Sequence, residues 1–508
     1  MKVNQIKIGI ILSYVSMGIN MVIQLLYTPI MLKVLGQSEY GLYTLVASVV
    51  SYLSLFSLGF TGAYLRFYTR YDKNNDNEAI GNLNGMFISL FLIMSFVAFV
   101  TGMVLSNYVE VFFDSTLSLD ELKKAKLLMQ ILVINISMTF PMSVFDSMIV
   151  AHEKFLFQRV VNILGVVFNP LICLPLLIIG YGSVAMVIVT TIITMIKLAL
   201  SIYYCIVKLN IKIKFTLINR QLLKEIAYFS FFIFLNMIID QINWSVDKII
   251  LGGISGTIVV AVYGVGAHIN SLYTMFSTAI SSVFAPRINK MANLQPEERN
   301  VEITKLFIKV GRIQYMVLGL IITGFIFFGK YFVINIYATN QYKDSYLVAI
   351  VLMLAGTTPL IQNLGIEIQR ALNKHQFRSI VYIIMAFFNI LISIPLAKIY
   401  GAVGAAMGTC VSMIVTNGII INIYYRKNIG IDIILFWKNI IQISRAMIMP
   451  ALFGCVVLFG DFVNNIYMFI VLVNCYVIVY VYSIIKYGMN EDEKGYLEKL
   501  IQKRKKEE

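Results

Sequence analysis

The chain has 508 residues, 59% of them hydrophobic and 13% charged, and its formal net charge is +15. A soluble domain is nearer half apolar and a quarter charged. This composition, with repeated apolar runs of roughly 20 residues, excludes a soluble globular protein and indicates a polytopic membrane protein.

The first run, in MKVNQIKIGIILSYVSMGINMVIQLLYTPI, is too long for a signal peptide and lacks a small-residue cleavage site, so it reads as an uncleaved span. Fourteen transmembrane helices are predicted in an all-α chain: 8–30, 40–62, 84–106, 127–149, 160–180, 183–207, 227–251, 257–281, 310–328, 346–366, 379–397, 401–423, 443–460 and 466–485. The intervals between them are too short to fold alone. With the N-terminus in the cytoplasm, segments on the cytoplasmic side hold 32 of the 41 Lys and Arg residues and those on the outer side hold 7. Lys197 and Lys248 fall inside spans. Cytoplasmic loops accumulate basic residues, so both termini are placed inside. The positive charge is thus a topology signal that also favours anionic lipid headgroups, rather than a sign of nucleic acid. Cys173, Cys205, Cys410, Cys455 and Cys475 lie in apolar runs with neither metal-ligand spacing nor a disulfide pattern. The tail NEDEKGYLEKLIQKRKKEE reads as a solvated or headgroup-touching end.

An internal repeat organises the spans. Ala151–Ile178 aligns with Ala371–Lys398 at a shift of 220, matching Lys154 with Lys374, Asn169 with Asn389 and Pro175 with Pro395. YGSVAM at Tyr181 then meets YGAVGA at Tyr400. A second register, shifted by 216, pairs Asn20-Met21 with Asn236-Met237 and Leu35-Gly36 with Leu251-Gly252. Span 1 thus corresponds to span 7 and span 5 to span 11. The repeats are parallel, an arrangement that in transporters places substrate between the halves near the midplane. The predicted organisation is an N-lobe over 1–215, a C-lobe over 216–428, and spans 13–14 with a basic tail over 429–508.

Span 7 carries polar residues at helical spacing. Asn236, Asp240, Asn243 and Asp247 share one face, and the 216 register superimposes Asn20, Gln24 and Tyr27 of span 1 on it. Asp240 lies about 20 Å into its span at ~1.5 Å per residue. An ionisable group at that depth points to function, so both stripes are expected to line a wet cavity. Asp247 and Lys248 are expected to snorkel to the outer interface. Lys197 in span 6, whose repeat partner is Asn417, and His268 in span 8 are further cavity candidates. Arg66, Arg70 and Arg287 end spans 2 and 8 on the cytoplasmic side, where guanidinium groups can gather phosphate. There is no nucleotide-binding loop, metal-binding cluster or nucleophile motif, so enzyme chemistry is not expected.

Met31–Tyr71 contains Leu35, Gly36, Tyr40, Gly41 and Tyr43, then Leu58, Gly59, Ala63, Arg66 and Tyr68. This resembles the bacterial polysaccharide flippases, which have a similar LG-x-x-x-(Y/F)G-x-Y loop and L-G-x-x-x-A-x-x-R-x-Y end to span 2. They belong to the multidrug/oligosaccharidyl-lipid/polysaccharide exporter superfamily. The resemblance implies two six-helix lobes around a V-shaped central cavity lined by spans 1, 2, 7 and 8, in a bacterial cytoplasmic membrane. It implies that an undecaprenyl-diphosphate-linked oligosaccharide is flipped to the outer leaflet, coupled to an H+ or Na+ gradient and with no other cofactor. Membrane lipids, a polysaccharide polymerase and glycosyltransferases are the implied partners. Arg66, Arg287, Lys248 and Lys197 are then the cations available to the diphosphate. A drug exporter of the same superfamily and a non-transporting scaffold of glycan assembly are the alternatives. The first usually has twelve spans and often an acid in span 1, absent here. The second has no need of polar midplane stripes.

Overall fold

The computed structural model describes residues 5–495 except 75, 216–219, 373 and 375. The side chains of 5–11, 232, 236 and 285 also lie outside it, as does the charged tail beyond 495. Among the described residues the chain is helical, without strands. Among the described residues nine helices are long and apolar enough to cross a membrane, and two bent pairs raise the number to eleven.

Three helices are too long to be single spans. α1 (Gln5–Ser51) has 47 residues, and a continuous helix of that length would measure ~70 Å against a hydrocarbon core of ~30 Å. It breaks at Gly36, with φ 74° and ψ 177°. After α2 (Phe60–Asp72), α3 (Asn77–Asn107), α4 (Leu119–Ala151), α5 (Phe155–Ile179) and α6 (Gly182–Tyr203), the chain enters α7 (Arg220–Ser282). α7 breaks at Gly256, with φ 77° and ψ −175°. α8 (Pro296–Tyr331) and the bent pair α9 (Ser345–Ile361) and α10 (Leu364–Ala371) precede α11 (Gln376–Met413), which breaks at Gly401. This backbone region at Gly36 and Gly256 is essentially restricted to glycine.

The breaks revise the repeat register. Gly36 and Gly256 share one conformation and lie 220 apart, the same shift as between spans 5 and 11. Gly182 and Gly401, matched in sequence, both have positive φ. The 216 register paired Gly36 with Gly252 because Leu-Gly recurs one turn earlier. Four residues make about one helical turn, so both registers keep the polar stripe on one face. In the 220 register Asn20 corresponds to Asp240 instead of Asn236.

The chain forms two compact units, Met1–Gly264 with Tyr382–Ala405, and Val265–Val381 with Ala406–Glu508. In the second unit, the bent pair α12 (Ile433–Ala446) and α13 (Ile448–Phe459) replaces the span predicted at 443–460. The apolar run was placed ten residues late because α12 is amphipathic: Ile433, Phe436, Ile440 and Ile443 are buried, while Lys438 and Asn439 interrupt the hydropathy. Phe328 of α8 packs with Ile443, Met447, Tyr476 and Tyr480, joining α12 and α14 (Ile466–Ser483) to one core.

Arg312, which the charge count assigned to the cytoplasmic side, is a buried residue of α8. It donates to Glu493 through Nε at 2.8 Å and Nη2 at 2.7 Å, to the Gly488 carbonyl at 2.8 Å and to the Asn439 carbonyl at 3.2 Å. Asn490 and Glu493 cap each other's backbone N–H groups. The start of the tail is therefore a built clamp.

Candidate functional site

The first unit contains a break within the second predicted span. After a 3-10 turn over Tyr52–Ser57, Leu58 and Gly59 adopt left-handed backbone angles, with φ 49° and 70°, and α2 then begins. A left-handed leucine costs roughly 1–2 kcal/mol, so tertiary packing must hold it. Gly59 is required by proximity as well: a Cβ there would lie 2.8 Å from Ile233 Cγ2 and 3.2 Å from the Phe234 nitrogen of α7. The Leu58-Gly59 pair of the sequence motif is thus the point where one span breaks against another. Irregular backbone at membrane depth is tolerated where protein or a polar cavity covers it, and transporters place such breaks at substrate sites.

Polar contacts line this junction. Gln241 donates to Ser245 at 2.8 Å and to Ser51, and the Ser51 and Ser245 hydroxyls are 3.2 Å apart. Ser57 lies 3.8 Å from Met237 sulfur. Gln241 and Ser245 were not singled out from sequence, although their i, i+4 spacing was visible. Asp240, next to Gln241, is exposed and Asn243 is half-buried. Asn236 lies in α7, and its side chain is outside the described residues.

Asp247 does not snorkel. It is 3% exposed, and Tyr263, further along α7, donates to its Oδ2 at 2.6 Å. The break at Gly256 folds the second part of α7 back over the first and covers the carboxylate. A charge-assisted hydrogen bond then offsets part of its desolvation. Lys248 is half-buried.

In α1, Gln24 donates to Asn20 at 3.2 Å, and both are half-buried. Among the described residues Gln24 Oε1 is buried without a hydrogen-bond partner. Tyr27 turns to Cys173 of α5. Lys197 of α6 donates to Asn162 of α5 at 3.3 Å. In the second unit, His268 bonds the Tyr337 hydroxyl at 2.6 Å. Arg287 is exposed on the short helix Ala285–Met291.

At the C-terminal end of α2 a cavity of about 740 Å³ is lined by Arg66, Arg70, Lys73, Glu225, Tyr228 and Phe229, among others. The Arg66 guanidinium lies 4.4 Å from the centre of the Phe229 ring, a cation–π placement. Arg70 pairs with Glu225 at 3.0 Å, both exposed. Three cations therefore face one carboxylate. The sequence marked both arginines but gave no sign that α7 would supply the aromatic wall.

At the opposite end, two carboxylates gather helix ends. Glu39 accepts from the Ser183 N–H at 2.5 Å and pairs with Lys124 at 2.6 Å. Burial alone would raise its pKa, but the Lys124 and Ser183 contacts outweigh that and hold it below the ordinary carboxylate value. Glu121 forms a capping box with Ser118 and accepts from Ser38 at 2.5 Å and Thr257 at 2.8 Å. Here too burial is outweighed, by Ser38, Ser118 and Thr257, and the pKa is lowered. A Cβ on Gly41 would fall 1.9 Å from the Thr257 carbonyl oxygen, so these backbones approach closely. Among the described residues no group of three or more His, Cys, Asp or Glu could hold a metal ion.

A family model described as polysaccharide biosynthesis protein matches residues 6–292. No curated protein matches the sequence. Among solved structures, the lipid II flippase MurJ in an inward closed conformation has a TM-score of 0.70 at 17% identity, covering 94% of this chain and 97% of that one. An inward-facing multidrug resistance MATE family transporter of the MOP superfamily gives 0.54 at 15% identity, covering 82% and 98%. A Vibrio cholerae MATE transporter gives 0.58 at 12% identity, covering 85% and 98%. At these identities the likeness is one of fold.

Proposed function

We propose, because the chain belongs to the polysaccharide biosynthesis protein family and has the fold of a lipid flippase, that it flips an undecaprenyl-diphosphate-linked oligosaccharide to the outer leaflet of a bacterial cytoplasmic membrane. The observation that carries this reading is the cavity of Arg66, Arg70 and Lys73 at one end of a broken, polar-lined helix junction. A diphosphate needs cations, and guanidinium groups bind it with two parallel hydrogen bonds. A glycan needs hydroxyl and amide partners, which Ser51, Gln241 and Ser245 offer, with Asp240 beside them. The lipid tail stays in the bilayer.

Each of α1, α7 and α11 counts as two spans joined at its glycine, which gives fourteen with both termini cytoplasmic. The repeat-related halves alternate access, driven by an H+ or Na+ gradient. The polymerase and the glycosyltransferases of the same glycan are its working partners.

The test is a deletion strain examined for lipid-linked oligosaccharide trapped in the inner leaflet, with drug efflux measured in parallel. Trapped oligosaccharide, relieved by the wild-type gene and not by a protein carrying Arg66→Ala with Arg70→Ala, is the expected result. Normal surface glycan together with lost drug efflux makes the protein a multidrug exporter instead.

A further inference from the structure

One face of α6 carries Thr190, Thr194, Lys197 and Ser201, at i, i+4, i+7 and i+11. Each meets a polar partner from α4 or α5. Asn169 donates to Thr190 at 3.0 Å and Asn135 to Thr194 at 3.0 Å. Lys197 donates to Asn162 at 3.3 Å, and Ser201 donates to Asp146 Oδ1 at 3.0 Å. The partners are themselves in register, Asn135 and Asp146 on α4 and Asn162 and Asn169 on α5. The four rungs make a polar seam through the first unit, of which the sequence offers Lys197 as a cavity candidate and Asn169 as a repeat match.

The first two rungs, at Thr190 and Thr194, are neutral, which is enough to join helices in a membrane. The last two, at Lys197 and Ser201, carry opposite charges, which a purely structural seam does not need and which are costly to place in a span. The lysine also has a groove. A Cβ on Gly165 would fall 2.1 Å from Lys197 Cε, so the side chain lies across that glycine. Ser201, which holds Asp146, is one turn from Lys197 on α6, and no direct ion pair joins Asp146 and Lys197 among the described residues. Among the described residues Asp146 takes one hydrogen bond, so its carboxylate has further acceptor positions. The titratable groups reaching it are Lys197 on α6 and Cys205 in the π-helical turn that follows it, and α5 meets Lys197 with Asn162 and Gly165. His152, six residues along α4, is engaged with Tyr68 and the Met148 carbonyl.

We propose that Asp146, with Lys197 held beside it, is a proton-binding site of the first six spans and a seat for the coupling ion of transport. The role in coupling rests on the transport reading above; the binding of the proton does not. One proton from water converts the Asp146 carboxylate to the neutral acid while Lys197 stays an ammonium. The pair passes from net zero to +1, and release to water reverses the step. Gly165 and Asn162 position the lysine, and Ser201 orients the carboxyl.

The test is infrared difference spectroscopy of the full-length protein in liposomes, titrated from about pH 4 to about pH 9. The expected spectrum contains a protonated-carboxyl band that disappears in Asp146→Asn. An ammonium near a carboxylate favours its charged form, by about one pH unit or more when the two are roughly 4–6 Å apart. The band's midpoint therefore moves to higher pH by about that much in Lys197→Met. It moves the same way in Gly165→Ala, which displaces the lysine and keeps its charge. Thr194→Val, on a neutral rung, leaves it in place. A wild-type spectrum with no band that Asp146→Asn removes overturns the site, as does a midpoint that neither lysine variant moves. The readout needs no substrate, so failure here is separate from failure of the deletion-strain test.

Discussion

Glu493→Gln is expected to destabilise the protein by about 3 kcal/mol, and the structure supplies the terms. Arg312 is 1% exposed and Glu493 12% exposed, and their contact is bidentate. Glutamine keeps one acceptor oxygen, so at least one charge-assisted bond is lost, about 1.5–3 kcal/mol. The guanidinium also stays buried without its counter-charge, and breaking such a pair costs about 3–5 kcal/mol in all. The lower end applies because Arg312 keeps the Gly488 and Asn439 carbonyls and the pair borders an open cavity of about 590 Å³. Unfolding of the purified protein in detergent micelles titrated with dodecyl sulfate measures the difference, roughly a hundredfold in the folding equilibrium. Glu302→Gln, at the exposed pair with Lys305, is the control and costs at most about 0.5 kcal/mol. Adding Arg312→Met to Glu493→Gln removes the orphaned charge and recovers part of the loss. If Glu493→Gln matches the control, or the double variant is no better than the sum of its singles, the clamp is not an energetic unit.

Gly41→Ala forces apart two backbones that approach at Thr257, so it is expected to cost about 1–3 kcal/mol in the same unfolding assay. Gly18→Ala, with open space around it, is neutral or stabilising by up to about 1 kcal/mol, and equal effects at the two sites would refute the close approach. Glu39 and Glu121 titrate below their ordinary value when folded, so their contribution is present above the unfolded carboxylate pKa of about 4.3 and is lost as pH falls through the folded values. Both are partly exposed, so each contributes about 1 kcal/mol or less. Thermal denaturation between about pH 3 and pH 7 should lose part of its acid-side slope in Glu39→Gln with Glu121→Gln. An unchanged slope would show that the Glu39 and Glu121 network adds nothing.

Several functional elements could be read without coordinates because each depends on a local pattern. Apolar runs set the helices, Lys and Arg counts set the expected orientation, and i, i+4, i+7 spacing set the polar face of α7. The repeat was legible too, since Gly182 and Gly401 were matched by their flanking residues and both take positive φ. The helix-spacing rule also held for α6, whose stripe of Thr190, Thr194, Lys197 and Ser201 was there to be read. What marks it as a site is the identity of its partners, and those come from helices 21 to 59 residues away in sequence.

Partners at such distances, and depth within a bundle, are set by packing, and no window of sequence contains them. Hydropathy placed Asp247 near a span end, where a charge ordinarily reaches water. The fold back at Gly256 instead laid Tyr263 over it. The pattern of Leu58 and Gly59 signalled a motif but not a broken helix, because the break shows only in the backbone angles and in the close approach of Gly59 to Ile233 and Phe234 of α7. Arg312 looked like one more cytoplasmic cation, and its burial depended on Glu493 returning from the far end of the chain. Composition and periodicity thus determined that the chain crosses a membrane as paired helices with polar faces. Which of its charges are covered, paired or left open was decided by long-range contacts, whose energies exist only once the helices have met.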